Sequence, residues 1–261
     1  MVKKKLIIGN WKMNPLTLKE AEKIFSAISK SVSSIGKCSA VICPPFPFIE
    51  KLKKSSRKIT LGAQDAFGEM SATGKGVGPY TGEVSGAMLH DLGVRYVILG
   101  HSERRALGEK DEEINRKVKA CLASGLTPVL CVGERERDES HEYFNIVKKQ
   151  IEDCLERVVK NSLGKIAIAY EPVWSISTTV GRRDATPADF KEMAIYIRKV
   201  LSDKFGAKTE MPRILYGGSV SPKNAYGFLV EGEADGLLVG RDSLDPEKFG
   251  EILKICDQSG I

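Results

Sequence analysis

Five short polar segments in this sequence carry side chains suited to acid-base and anion chemistry: Asn10 with Lys12, His101-Ser102-Glu103, Glu171, Gly217-Gly218-Ser219, and Gly240-Arg241. Each comes directly after a run of apolar or β-branched residues. Glu171 precedes Pro172, which restrains its backbone. A carboxylate held there and kept dry suits a general base that takes a proton from carbon. His101 opens a helical stretch, Ser102–Ala123, whose N-terminal dipole disfavours an imidazolium and leaves a neutral hydrogen-bond donor. Lys12 lies so close to an apolar run that burying its charge is costly unless an anion meets it. The two glycine turns bring backbone N–H groups forward, and a phosphate is their natural guest. Arg241 adds a cation beside the second turn. This is chemistry for moving protons on a small phosphorylated substrate.

Residues so far apart converge only if the chain's elements bring them to one face. Strands are predicted at Lys5–Trp11, Ala40–Cys43, Ile59–Ala63, Tyr96–Leu99, Pro128–Val132, Ile166–Tyr170, Ile214–Tyr216 and Gly236–Val239, several of them apolar at successive positions as buried parallel strands are. Helix starts lie between them. Thr17-Leu18-Lys19-Glu20 reads as a capping box ahead of the stripe Ala21, Ile24, Phe25 and Ile28, and Thr186-Pro187, Ser221-Pro222 and Asp245-Pro246 each set a capping oxygen before a proline. Alternating β and α with eight strands gives a single (β/α)8 barrel as the expected fold, occupying 1–261 as one domain. The rival is an open doubly wound sheet. It lacks its signature here, because Gly9-Asn10-Trp11-Lys12 is no G-x-G-x-x-G turn. In a barrel, whatever follows each strand lies at one mouth, where the five polar segments then meet.

Composition removes other classes. The 261 residues are 42% hydrophobic and 28% charged, ordinary values for a globular chain with a large core. The net charge of +6 is spread along helical segments rather than gathered into a stripe, so no nucleic-acid partner is expected. No run approaches the roughly 18 apolar residues that span a bilayer. Lys3-Lys4-Lys5 is followed by a strand rather than a signal-peptide core, so we expect cytoplasmic residence. Six cysteines without a C-x-x-C pair and three histidines without H-E-x-x-H predict reduced thiols and no metal.

The segments Gly9-Asn10-Trp11-Lys12-Met13-Asn14, Thr81-Gly82-Glu83, Gly100-His101-Ser102-Glu103-Arg104-Arg105, Ala169-Tyr170-Glu171-Pro172-Val173-Trp174, Tyr216-Gly217-Gly218-Ser219-Val220 and Leu238-Val239-Gly240 recur in order and spacing in the triosephosphate isomerases, which this sequence resembles over nearly its whole length. The resemblance implies a TIM barrel that interconverts dihydroxyacetone phosphate and D-glyceraldehyde 3-phosphate without a cofactor. It implies Glu171 as the base, His101 as the neutral electrophile, Lys12 as the substrate ligand that stabilises the enediolate with Asn10 orienting polar groups beside it, and Glu103 as the support of the His101/Lys12 region. Ser177, Ser219 and Gly240, with Arg241 beside them, would hold the phosphate. It also implies a homodimer in which the loop bearing Thr81 reaches the partner. Three departures stand out: the lid Ser175–Asp184 is longer than usual with Ser177 at a usual glycine, Arg241 replaces a second glycine after the eighth strand, and Asp65–Tyr80 is long. We expect Arg182 or Arg183 to stay in solvent. Another phosphate-binding barrel enzyme, or an inactive scaffold of the same fold, is the competing reading.

Overall fold

The computed structural model describes residues 4–54, 58–69, 76–137, 139–175 and 183–259. Among them, eight parallel strands close into a barrel in sequence order: β1 (Lys5–Asn10), β2 (Cys38–Cys43), β3 (Ile59–Ala63), β4 (Tyr96–Leu99), β5 (Thr127–Val132), β6 (Ala167–Tyr170), β7 (Arg213–Tyr216) and β8 (Gly236–Val239). Closure is made by β1 against β8, with Leu6 opposite Gly236 and Gly9 opposite Val239. All eight predicted strands are present, three with identical bounds and the others shifted by one or two residues. Such a chain is a (β/α)8 barrel, and its strand ends do gather the polar segments at one mouth.

Alternate side chains on each strand take opposite sides. Leu6, Ile8, Val41, Cys43, Ile98, Val129, Cys131, Ala167, Ala169, Leu215 and Leu238 fill the barrel interior. Ile7, Ile42, Leu61, Val97, Leu130, Ile168 and Ile214 face outward into the layer of helices. Burial on both sides is why the strands read as unbroken apolar runs. The helices are α1 (Leu18–Ser31), α2 (Ile49–Lys53), α3 (Gly86–Asp91), α4 (Ser102–Ala106), α5 (Asp111–Ala123), α6 (Glu142–Cys154), α7 (Pro187–Phe205), α8 (Pro222–Val230) and α9 (Pro246–Gln258). Thr17 and Glu20 form the predicted reciprocal cap on α1, which buries Ala21, Phe25 and Ile28. Thr186, Ser221 and Asp245 cap α7, α8 and α9 ahead of their prolines.

One expected element divides. Ser102–Ala123 is two helices, α4 and α5, separated by a turn in which Gly108 adopts φ +103°, a backbone state open to glycine and costly for other residues. The dipole behind His101 therefore belongs to a helix of five residues rather than twenty-two.

Candidate active site

The site begins where β1 ends. Asn10 closes the strand with its side chain buried, and its Oδ1 accepts the Lys12 N–H at 3.0 Å. Lys12 itself has φ +53°, a left-handed conformation that costs a non-glycine residue on the order of 1 kcal/mol and persists only when its surroundings fix it. They do so from β3. Gln64, one residue past that strand, donates from Nε2 to the Lys12 carbonyl at 2.7 Å and to the Cys43 carbonyl at 2.9 Å. The lysine is thereby turned over the mouth, where Nζ meets Glu103 Oε1 at 2.6 Å.

At the end of β4 the chain turns into α4 through His101. Its Nδ1 accepts the Glu103 N–H at 3.1 Å. A backbone N–H can only donate, so Nδ1 must offer a lone pair and the ring proton belongs to Nε2. One local hydrogen bond, rather than the dipole of a long helix, thus sets which ring nitrogen accepts. Nε2 points at Glu171, with Oε1 3.3 Å away. Glu171 follows β6 and is 2% exposed. Its other oxygen, Oε2, accepts the Ser102 N–H at 2.9 Å, so the carboxylate is held between that N–H, the imidazole and the Cys131 thiol. A buried carboxylate with so few donors keeps lone-pair capacity for a substrate proton. The floor beneath it is rigid: Arg105 binds the Gly100 and Cys131 carbonyls at 2.7 and 3.2 Å and Asp111 Oδ1 at 2.6 Å.

The remaining wall comes from the turns after β7 and β8. A side chain at Gly217 would place its Cβ 3.0 Å from Glu171 Cγ, so the glycine leaves the carboxylate room. Ser219 Oγ donates to the Ser175 carbonyl at 2.9 Å, and Asn224 Nδ2 donates to the Ser219 carbonyl at 2.8 Å, which ties this turn to the segment beyond Glu171 and to α8. Ser243, fully buried, joins the other turn to β1: its Oγ donates to the Gly240 carbonyl at 2.7 Å and its own carbonyl accepts Trp11 Nε1–H at 3.1 Å. Asn10, Lys12, His101, Glu103, Glu171, Ser219, Gly240 and Arg241 all line one cavity of about 530 Å³, a size suited to a small metabolite.

The sequence matches the family model described as Triosephosphate isomerase over residues 5–256. The chain belongs to the triosephosphate isomerase family. The protein named triosephosphate isomerase from Endomicrobium trichonymphae is 39% identical over 257 residues, covering 97% of this chain and 99% of that one. The one from Aquifex aeolicus (strain VF5) is 42% identical over 254 residues, covering 96% and 98%. The crystal structure of triosephosphate isomerase from Bartonella henselae superposes with a TM-score of 0.81 at 33% identity, covering 97% of this chain and 99% of that chain.

Eight of the nine site residues expected from the sequence meet at this family's barrel mouth. The ninth, Ser177, lies with Arg182 outside the described residues, as do residues 70–75 of the long Asp65–Tyr80 segment. Arg183 is exposed, as expected, though not without contacts. Its guanidinium lies 4.1 Å from the centre of the Trp174 ring and 3.4 Å from Asp189, so it stacks on the indole while still half exposed. Trp174 is itself fixed, since its Nε1–H and the Tyr170 hydroxyl both donate to Glu134 Oε1 at 2.7 Å. Arg137 reaches the same oxygen at 3.2 Å. Gln64, Glu134 and Ser243 were not singled out from the sequence. Each has at least one decisive partner far away in the chain, Lys12 for Gln64, Tyr170 and Trp174 for Glu134, and Trp11 for Ser243, and no spacing rule marks it.

Proposed function

We propose that the chain interconverts dihydroxyacetone phosphate and D-glyceraldehyde 3-phosphate through an enediolate, with Glu171 as the base and neutral His101 as the electrophile. The observation that carries this reading is the pairing of a buried Glu171 carboxylate with an imidazole 3.3 Å away whose Nδ1 accepts a backbone N–H, opposite the Lys12 cation in one cavity. Glu171 takes a proton from C1 of the ketose, and the C–H electron pair becomes the C1=C2 double bond. Charge collects on the carbonyl oxygen, where His101 Nε2–H and Lys12 Nζ stabilise it. His101 then relays a proton between the two oxygens, and Glu171 returns its proton to C2. The electron pair never leaves the substrate, so the scheme calls for no cofactor and no metal.

Asn10 orients Lys12 through its backbone, and Glu103 sets the lysine's position by ion pairing. Ser219, Gly240 and Arg241 hold the phosphate from the two turns, with Ser177 completing the set from the lid. We also place a twofold homodimer contact on the loop bearing Thr81. Exposed apolar side chains support a partner on this side of the barrel: Met13 and Leu16 after β1 are 94% and 92% exposed, and Val77 and Tyr80 flank the Thr81 loop at 53% and 39%. Residues 1–261 act as one domain in the cytoplasm on this reading. No helix of the described residues is long and apolar enough to cross a membrane. A coupled assay with each triose phosphate tests the activity. Turnover in both directions without added metal is expected, and turnover only with another phosphorylated sugar would assign the site to a different reaction.

A further inference from the structure

At the opposite end of the barrel from the active site, β2 begins against the last turns of α9. The Gly36 and Lys37 N–H groups both donate to Asp257 Oδ1, at 2.9 and 2.5 Å, and the Cys38 thiol donates to the Leu253 carbonyl at 3.8 Å. Cys38 is thus held against the same helical face by partners on either side of Cys256, which sets the two thiols beside each other. The residues are more than two hundred positions apart in the chain, and both are free thiols. Neither belongs to the catalytic machinery.

We propose that Cys38 and Cys256 are a built-in oxidation site, closing to a disulfide that staples α9 to the start of β2. The neighbouring Cys256 thiol holds the Cys38 thiol below its ordinary value, and nearby Lys4 acts in the same direction against the opposing effects of burial and Asp257. Cys38 is also the more exposed of the two, at 7% against 3%. It is therefore the attacking thiolate. The oxidant is hydrogen peroxide. Cys38 sulfur attacks the peroxide oxygen, the O–O bond breaks, and a sulfenic acid forms as water leaves. Cys256 then attacks that sulfur, the S–S bond forms, and a second water is released, so two thiols and one peroxide give one disulfide and two waters. The other four thiols are protected. Burial pushes Cys43, Cys121, Cys131 and Cys154 upward, Cys121 to about 12, and the Glu171 carboxylate raises Cys131 further.

A bond across so long a span restricts the unfolded chain strongly, and on entropic grounds should raise Tm by roughly 4–10 °C. The test is to treat the full-length protein with hydrogen peroxide, then measure intact mass, thiols titratable after denaturation, a non-reduced peptide map and Tm. Expected are a loss of two hydrogens, a thiol count falling from six to four, a linked peptide containing Cys38 and Cys256, and a raised Tm that dithiothreitol reverses. Cys38→Ser and Cys256→Ser should each fold, and each should abolish both the link and the rise in Tm. A first link elsewhere, oxygen addition without a link, no reaction at all, or a link that leaves Tm unchanged would each overturn the proposal.

Discussion

Replacing Gly217 by alanine should disable the base without unfolding the barrel. The new Cβ would lie 3.0 Å from Glu171 Cγ and 3.3 Å from the Tyr170 carbonyl oxygen. Carbon atoms rest comfortably at about 3.5–4.0 Å, so Glu171 must move by roughly 0.5–1 Å. It cannot move freely, because Oε2 is held at 2.9 Å by the Ser102 N–H and the side chain is enclosed. A misplacement of about 1 Å at a reacting group can cost on the order of 10²-fold. The Gly217 backbone lies outside the left-handed region, so alanine brings no intrinsic strain of its own. We expect kcat to fall by about 10–100-fold while KM stays within about threefold, the pattern of an interaction lost in the transition state. A coupled isomerase assay and a thermal melt measure both quantities. Gly36→Ala, where nothing lies within 4 Å of the new carbon, is the control and should be neutral in rate. A Gly217→Ala enzyme with kcat within twofold of wild type would refute the contact argument.

Other perturbations act on neighbouring parts of the account. Gln64→Leu removes the donor that fixes left-handed Lys12 and should cost about tenfold in kcat/KM, the equivalent of one unmade hydrogen bond, read in the same assay. Thr81→Arg sets an unpaired cation at the proposed dimer contact. Sedimentation should show monomer, with activity lost in parallel, and a fully active dimer would remove Thr81 from the interface. Burial opposes ionisation of Asp189, but the hydrogen bonds from Thr186 and the Arg183 guanidinium outweigh it and hold the carboxyl below its ordinary 3.8. Its folded-state value is thus depressed, and the stability it contributes is present above about pH 4 and lost as pH falls through the folded value. Melts of Asp189→Asn should therefore show a deficit at pH 7 that closes toward about pH 3.

The barrel was readable because both faces of its strands are buried, which turns segments such as Leu6-Ile7-Ile8 and Val97-Ile98-Leu99 into unbroken apolar runs. The helix starts were equally plain at Thr17, Thr186, Ser221 and Asp245, where cap and proline chemistry is local. The catalytic side chains stood out for the same reason, being polar residues placed directly after apolar strands. Part of what escaped is long-range. Ser243 meets Trp11 across 232 positions and Gln64 meets Lys12 across 52, and in each case a single side chain satisfies a backbone carbonyl that no motif announces. The break between α4 and α5 was missed because Glu, Arg and Lys on both sides of Gly108 favour helix and outweighed a local signal, a positive-φ glycine closing α4 with the Gly108 and Glu109 N–H groups on the Arg105 and Arg104 carbonyls. The stacking of Arg183 on Trp174 is likewise a contact between residues nine apart that a charge pattern alone reads as solvated.

The most direct test of the account is the rate at which Glu171→Gln interconverts the two triose phosphates, followed in deuterium oxide by NMR so that hydrogen exchange at the reacting carbons is read together with turnover. Wild type should isomerise both substrates with solvent deuterium entering the product, since the shuttled proton resides on a carboxylate. The variant should fold and bind phosphate as wild type does, yet turn over at least about 10²-fold more slowly, as expected when a general base is removed. Turnover within tenfold of wild type by Glu171→Gln would contradict the assignment of the proton transfer to this residue.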